Sequence, residues 1–130
     1  MRLRNSVLAL AIAASSCAAN PPPNLYTTQQ TRIYQTENAE QAVIALSQMA
    51  VSLNASTGPT HLSDANTRLV RDFALAFDAW RTGYSNGTAT VQQILATYTQ
   101  LNTALQTDAS SAGLKAILAT VQVALNAIPQ

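Results

Sequence analysis

Apolar residues recur every three or four positions over most of the chain after about residue 28, which is the period of an amphipathic α-helix. This pattern appears in four stretches, and polar segments rich in Gly, Asn, Ser and Thr separate them. No stretch alternates apolar and polar residues as a half-buried strand does. The pattern therefore predicts an all-α domain over residues 28–130.

The predicted helices have recognisable ends. The first runs over about residues 28–53 and stops before a Gly-Pro loop. A serine or aspartate N-cap starts the second helix, and Gly83 is expected to end it in the left-handed conformation. Thr90 and Gln93 have capping-box spacing at the start of the third helix, and the fourth stops at the last proline.

The apolar stripes are wider than the two-in-seven stripe of a dimeric coiled coil, which favours a self-contained core. Short loops imply antiparallel neighbours, so we expect an up-down four-helix bundle or a close variant. Ile44 and Val51 lie off the first stripe, so the first helix is either covered on two sides or contacts a partner. The predicted core positions, in chain order, are Ala39, Val43, Leu46, Ala50 and Leu53, then Leu69, Val70, Phe73, Ala76, Phe77 and Trp80, then Val91, Ile94, Leu95, Tyr98, Leu101 and Leu105, and finally Leu114, Ile117, Leu118, Val121, Leu125 and Ile128.

The first 16 residues follow a different pattern. Arg2 and Arg4 precede an eight-residue apolar run, Val7 to Ala14, which is the layout of a secretory signal peptide. A transmembrane helix needs about 20 consecutive apolar residues, and this run is much shorter. We therefore expect residues 1–16 to be a signal peptide that is removed, not a membrane-spanning anchor.

The apolar run ends in Ala14-Ser15-Ser16-Cys17, which resembles the lipobox of bacterial lipoproteins. The resemblance implies cleavage before Cys17 and attachment of acyl chains to its thiol, which would hold the protein on a membrane. Ala14 stands where the lipobox usually has Leu, and the resemblance covers only the first 17 residues. The alternative is an ordinary signal peptide cut after Ala18, which would discard Cys17.

Residues 17–27 are predicted to be a tether. Pro21 to Pro23 favour an extended polyproline geometry, which makes a semi-rigid spacer of about 3.1 Å per residue. Cys17 is the only cysteine, so it cannot form a disulfide within the chain. The expected organisation is a signal peptide (1–16), an acylated cysteine with its tether (17–27) and a helical bundle domain (28–130).

Composition limits the classes of function. The 130-residue chain is 48% hydrophobic and 10% charged, which suits one globular domain with its own core. After residue 16 it carries one more acidic than basic residue. A nucleic-acid-binding domain needs clustered positive charge, so we expect no nucleic-acid partner.

The sequence offers little catalytic chemistry. A zinc site needs three or four His, Cys or carboxylate ligands, and the chain has one His and one Cys. His61 with Asp64 could form a general-base pair, but a polar histidine beside a helix N-terminus explains the same residues. The glycines are isolated, so no phosphate-binding loop is present. We expect no enzymatic activity, no cofactor and no metal.

Five residues are candidates for binding a partner. Arg68, Arg71 and Arg81 on the second helix could present an edge to an acidic protein, and Tyr26 and Tyr34 could face a partner. The same arginines alternate with aspartates at helical spacing, which also describes an ordinary solvated face.

These features favour a bacterial lipoprotein held on a membrane through lipid on Cys17, with a non-enzymatic interaction or structural role in the cell envelope. The body would face the periplasm, and its partner would be another envelope protein or a second copy of the chain. The alternative is a soluble helical effector or inhibitor without a lipid anchor, periplasmic or secreted, of the kind that a prophage supplies.

Overall fold

The computed structural model describes residues 27–130 of the chain. The predicted signal peptide, Cys17, Tyr26 and all of the tether before Thr27 lie outside the described residues. Five α-helices form this part: α1 (Thr28–Gln35), α2 (Glu37–Ala55), α3 (Asp64–Ser85), α4 (Val91–Gln106) and α5 (Lys115–Asn126). Two 3-10 helices, Gly58–Thr60 and Ala109–Leu114, precede α3 and α5. Residues 27–130 contain no strand, so the all-α prediction is confirmed for them.

The prediction of one continuous first helix is wrong at Thr36, where the chain divides into α1 and α2. The Thr36 hydroxyl donates to the carbonyl oxygen of Ile33 at 2.7 Å, and the Thr36 N–H bonds the same oxygen at 3.1 Å. Side-chain bonding of this kind competes with the regular helical ladder. The residue is fully buried, so tertiary packing holds the break in place.

The second predicted helix has the expected start and a later end. Ser63 is its N-cap, and the Ser63 hydroxyl accepts from the Asn66 N–H at 3.2 Å. Gly83 does not end the helix, because α3 continues for two residues and buries Tyr84 and Ser85. The left-handed residue is Gly87, with φ of +78°.

The start of α4 is confirmed as predicted. The Gln93 side-chain oxygen accepts from the Thr90 N–H at 2.9 Å, which completes the capping box. The fourth predicted helix is α5, and the 3-10 helix that contains Gly113 leads directly into it.

The core contains residues from α2, α3, α4, α5 and the segments before α3 and α5. Helix α2 packs between α3 and α5, α4 packs against α3 and α5, and α1 packs on α3. The Tyr98 hydroxyl donates to the Leu118 carbonyl at 2.6 Å, and burial raises the pKa of Tyr98. The Phe73 ring meets the Tyr98 ring edge-on at a centroid distance of 5.9 Å. Most stripe positions predicted from the sequence are buried.

Some apolar positions do not reach the core. Ile44 and Val51 are 41% and 63% exposed, so α2 is covered on one side only within residues 27–130. Leu69, a predicted core position, is 39% exposed. In this part of the chain, no helix combines the length and the apolar content that crossing a membrane requires.

Contacts define two ends of the body. The α1 end contains residues 27–35, 86–90 and 127–130, and the Tyr84 hydroxyl donates there to the Pro129 carbonyl at 2.8 Å. The loop end contains residues 56–63 and 107–114, whose two 3-10 helices pack together. Residues that are far apart in sequence therefore meet at each end.

Candidate functional site

Arg81 joins three helices at the α1 end. The Arg81 guanidinium donates to the Ile33 carbonyl at 3.2 Å, to the Thr36 hydroxyl at 2.6 Å and to a Glu37 carboxylate oxygen at 2.5 Å. It also forms an ion pair with Glu40. It therefore bonds a carbonyl in the last turn of α1, which Thr36 also bonds, and two acidic residues in the first turn of α2. We call Arg81, Thr36, Glu37 and Glu40 the α1 clamp.

Arg32 provides a second attachment of α1 to α3. The Arg32 guanidinium donates to the Tyr84 carbonyl at 3.3 Å and lies 5.8 Å from the centre of the Tyr84 ring. Burial raises the pKa of the Tyr84 hydroxyl, and the Arg32 charge opposes part of that rise. Gln29 of α1 also donates to Asn86 at 2.7 Å. No α1 residue is fully buried, so α1 is attached to the body mainly by these polar contacts.

A row of three aromatic rings on α3 ends at Tyr84, which contacts Arg32 of α1. The Phe77 and Trp80 rings are 5.6 Å apart, and the Trp80 and Tyr84 rings stack at 5.0 Å. The Trp80 indole N–H donates to the Thr90 carbonyl at 2.7 Å, so its polar atom is satisfied. These rings belong to the core and have the geometry of packing, not of a ligand site.

The histidine and the aspartate that suggested a base pair lie at the loop end, and each bonds another residue. His61 Nδ1 is 3.0 Å from the Ser56 carbonyl oxygen, whereas Asp64 accepts from the Asn54 side chain at 2.7 Å. No hydrogen bond joins His61 to Asp64. Each side chain thus stabilises the turn between α2 and α3, and the geometry provides no nucleophile with its base.

Asp108 anchors the segment before α5. Its carboxylate accepts from the Asn66 side chain at 2.6 Å and from the Ser110 N–H at 2.9 Å. The Ser110 N–H bond is the main reason why the pKa of Asp108 lies below its ordinary value, and the Asn66 side chain adds to it. Asp108 also lines a cleft of about 240 Å³ whose rim includes Lys115. The cleft brings together one carboxylate, already bonded, and one ammonium group.

Metal binding has no support within residues 27–130, because His, Cys, Asp and Glu side chains form no group of three there.

A second shallow depression near the α1 end is lined by Ile33, Asp78, Arg81, Thr82 and Ser85. Since Arg81 is engaged in the α1 clamp, this depression offers one carboxylate and two hydroxyl groups. Neither cleft has the acid and base separated in a closed site that hydrolysis needs.

The other two candidate arginines lie on the outward face of α3. Arg68 and Arg71 are exposed and form no ion pair with any residue between 27 and 130. Leu75 lies on the same face and is 61% exposed. The structure thus separates Arg81, which is bonded within the fold, from Arg68 and Arg71, which face solvent.

No protein-family model matches the chain, and searches of curated proteins and of solved structures find no match.

Three residues of these surfaces, Glu37, Glu40 and Leu75, were not among the candidates predicted from the sequence, although the sequence carries a signal for each. The clamp residues Glu37 and Glu40 carry a visible signal, since acidic residues favour the first turn of a helix. The exposure of Leu75 could also be predicted from the sequence, because Leu75 lies outside the apolar stripe of α3, as Ile44 and Val51 lie outside the stripe of the first predicted helix. Tyr34 is half-buried in α1, and its role as a partner contact stays a prediction.

Proposed function

We propose that this protein is a membrane-tethered bacterial lipoprotein of the cell envelope, with a non-enzymatic interaction role. The observation that carries the proposal is Ala14-Ser15-Ser16-Cys17, which follows a short apolar run and precedes a proline-rich spacer. The geometry is compatible with that role, because residues 27–130 bring together no nucleophile and base and no metal-ligand group.

The body is an up-down four-helix bundle formed by α2, α3, α4 and α5, with α1 as an additional short helix on α3. Two observations support this architecture. Consecutive helices pack together and α2 also packs against α5, which closes a ring of four. The loops after α2 and α4 meet at the loop end, whereas the turn after α3 and the segment after α5 lie at the α1 end. This alternation is the up-down topology.

The tether leads into Thr28, the first residue of α1, so lipid on Cys17 would keep the α1 end near the membrane. A spacer of about ten extended residues spans roughly 30 Å, which leaves the body free to stand on the membrane or to lie along it. The loop end and the outward face of α3 are then open to the periplasm. A partner would meet these surfaces, and Arg68 and Arg71 are the candidate residues that lie on them.

A substitution at Cys17 tests the anchor. We expect Cys17→Ser to move the chain from the membrane fraction to the soluble fraction, because it removes the thiol that would carry the lipid, and no helix within residues 27–130 is long and apolar enough to cross a membrane. Ala14→Leu restores the usual lipobox and should raise the acylated share, whereas Ser15→Ala, which keeps a small residue there, should leave it unchanged. Mass spectrometry of the mature N-terminus reads the outcome: an unmodified terminus at a residue other than Cys17 would refute the anchor.

A soluble exported effector or inhibitor is the second candidate, and Ala14 is the observation that favours it. An ordinary signal peptidase would then remove Cys17 with the leader. The same mass spectrum separates the two candidates, because this one requires an unmodified terminus after Cys17 and the same fractionation for the native chain and Cys17→Ser.

A further inference from the structure

Helix α3 carries two stripes on opposite sides, and both have heptad spacing. One stripe is buried in the core, and the other, which we call the outer stripe, is exposed along its whole length. Each advances by alternating steps of four and three residues, as the a and d positions of a coiled coil do. The buried stripe is Asn66, Val70, Phe73, Phe77, Trp80 and Tyr84, and the outer stripe is Asp64, Arg68, Arg71, Leu75, Asp78 and Thr82.

The outer stripe has side chains whose binding capacity the fold leaves unused. Leu75 at its centre is 61% exposed, among the highest values for a large apolar side chain between residues 27 and 130. Arg68 and Arg71 form no ion pair in that range, whereas Arg81 on the flank of the same helix forms two. An exposed apolar residue one turn from a free guanidinium group and flanked by a carboxylate is a suitable centre for a protein contact.

We propose that the outer stripe binds the outer stripe of a second copy of this chain, with the two α3 helices antiparallel. The register follows from the spacing, since antiparallel pairing about position 73 sets every stripe residue opposite another stripe residue. Arg68 then faces Asp78 of the second copy, and Asp78 faces Arg68, so the contact has two ion pairs related by a two-fold axis. Leu75 packs under the stem of the opposing Arg71 side chain.

The charge order excludes the simplest competing pairings. A parallel pair in register sets Arg68 against Arg68 and Asp78 against Asp78, and like charges in contact are unfavourable. An acidic partner would meet the outer stripe aspartates as well as its arginines. In the antiparallel pair the two Asp72 side chains approach the axis, but the two Arg71 guanidinium groups lie beside them and supply the opposite charge.

The contact is small, so the extent of pairing depends on how closely the copies are held together. One pair of 22-residue helices forms less interface than the roughly 1,200–2,000 Å² typical of stable complexes. We therefore expect weak association in dilute solution. The pairing rests on the proposed anchor only for the share of copies that pair. An antiparallel pair has its α1 ends at opposite ends of the α3 helices, so both tethers reach one membrane when the pair lies along it, and attachment there raises the effective concentration of the copies.

Charge exchange tests both the contact and its register. Two differently tagged full-length copies are co-expressed, and the recovery of one with the other is measured from solubilised membranes. Arg68→Asp or Asp78→Arg, present in both copies, should each lower recovery about tenfold, since two attractive contacts become repulsive. The double variant should restore it. Co-expression of one copy with Arg68→Asp and one with Asp78→Arg should restore it too, because each contact then joins opposite charges.

Two matched controls separate the stripe from general surface effects. Lys115→Asp makes the same charge change as Arg68→Asp on an exposed residue of α5 and should leave recovery unchanged. Leu75→Ala should lower recovery several-fold, whereas Val51→Ala, at an equally exposed apolar position of α2, should not.

Two results would overturn the pairing: native copies that do not recover each other, or recovery at the native level when both copies carry the same single charge substitution. Fractionation of the same samples reads the anchor separately. Copies in the soluble fraction that still show the charge-exchange pattern at high concentration would refute the anchor and support the pairing. Membrane-bound copies without the pattern would do the reverse.

Discussion

At the scale of single residues, the guanidinium of Arg81 differs most from the other charged groups. Its side chain is only 17% exposed and meets two carboxylates, one carbonyl and one hydroxyl. Removing one partner of such a cluster leaves the others without their hydrogen bonds, which costs more than the loss of an exposed pair. The stability of the α1–α2 junction should therefore depend on this one residue.

We expect Arg81→Ala to lower the free energy of unfolding by about 1–3 kcal/mol, because Glu37, Glu40 and the Thr36 hydroxyl oxygen lose the guanidinium that bonds them. Arg71→Ala, at an exposed residue of the same helix, should change it by less than about 0.5 kcal/mol. Urea denaturation of the purified chain measures both. Equal effects of the two substitutions would mean that the α1 clamp adds no stability.

Asp108 makes stability depend on pH in the acid range. The pKa of its carboxyl is lower in the folded chain than in the unfolded one, chiefly because the Ser110 N–H bonds the ionised form. The unfolded chain therefore takes up the proton first, so the contribution is present above the ordinary carboxyl pKa and is lost as pH falls through the folded value. Denaturation midpoints should decline between about pH 5 and pH 2.

Asp108→Asn should flatten that decline, since it removes the group that titrates differently in the two states. Asp72→Asn provides the control, because this exposed carboxylate of α3 has no hydrogen-bond partner among residues 27–130 and should leave the decline unchanged. An Asp108→Asn chain with the native acid dependence would show that the Ser110 bond has no effect on stability.

From the sequence alone, Arg68, Arg71 and Arg81 are equivalent candidates for partner binding, because all three lie at helical spacing from aspartates on the same helix. The three arginines differ because α1 and α2 pack next to Arg81 only. The acidic residues of α2 that pair with Arg81 lie more than 40 positions away from it in the chain. Spacing along one helix reports which residues share a face and carries no information about which distant segment covers that face. The two exposed arginines were predictable as solvated, and the clamp was not.

At the scale of elements, the turn between α3 and α4 depends on Gly87. Its φ of +78° strains any residue with a Cβ atom, and an added Cβ would lie 2.7 Å from an Arg32 guanidinium nitrogen. A substitution there would displace the side chain that attaches α1 to Tyr84. One glycine therefore shapes a turn and leaves room for the docking of a helix from elsewhere in the chain.

We expect Gly87→Ala to cost about 1–2 kcal/mol for the left-handed backbone and up to about 1 kcal/mol more for the displaced Arg32. Gly58→Ala is a matched control, because Gly58 has φ of +83° and nothing within 4 Å of the added Cβ. It should show the backbone cost alone. Thermal or urea denaturation gives both values, and equal losses would mean that Arg32 adjusts without penalty.

Helix ends were predictable where side chains cap their own helix. Ser63 and the Thr90–Gln93 box occupy the expected positions, because a cap is a local hydrogen bond. The break at Thr36 was not readable, since threonine is tolerated within helices and Arg81 from α3 stabilises the break. Gly83 was assigned as a terminus from its residue type, but the burial of Tyr84 outweighs that local preference.

At the scale of the whole molecule, charge is divided unevenly. Charged residues concentrate on the start of α2 and on α3, whereas α1 has only Arg32, α4 has none and α5 has only Lys115 at its start. The charged side includes both the α1 clamp and the outer stripe, the first bonded within the fold and the second open to solvent. Ionic contacts with another molecule would therefore fall mainly on the α3 side of the body.

The body should also open unevenly. Helix α1 has no buried residue, whereas α2 buries five, so separating α1 from α3 exposes little apolar surface. Segments with few buried contacts open at a lower free energy than the global unfolding of the chain. We expect the amides of Thr28–Gln35 to exchange hydrogen much faster than those near Leu46, as read by hydrogen exchange with mass spectrometry.

Arg81→Ala should speed exchange in α1 further and leave the amides of α4 at their native rate, because the α1 clamp bonds α1 and α2 but not α4. Arg71→Ala should change neither rate. If α1 exchanged only together with the rest of the body, its polar contacts would be as strong as the core, and the two segments would form one cooperative unit. Independent opening would instead allow α1 to lengthen the proposed tether without unfolding α2, α3, α4 and α5.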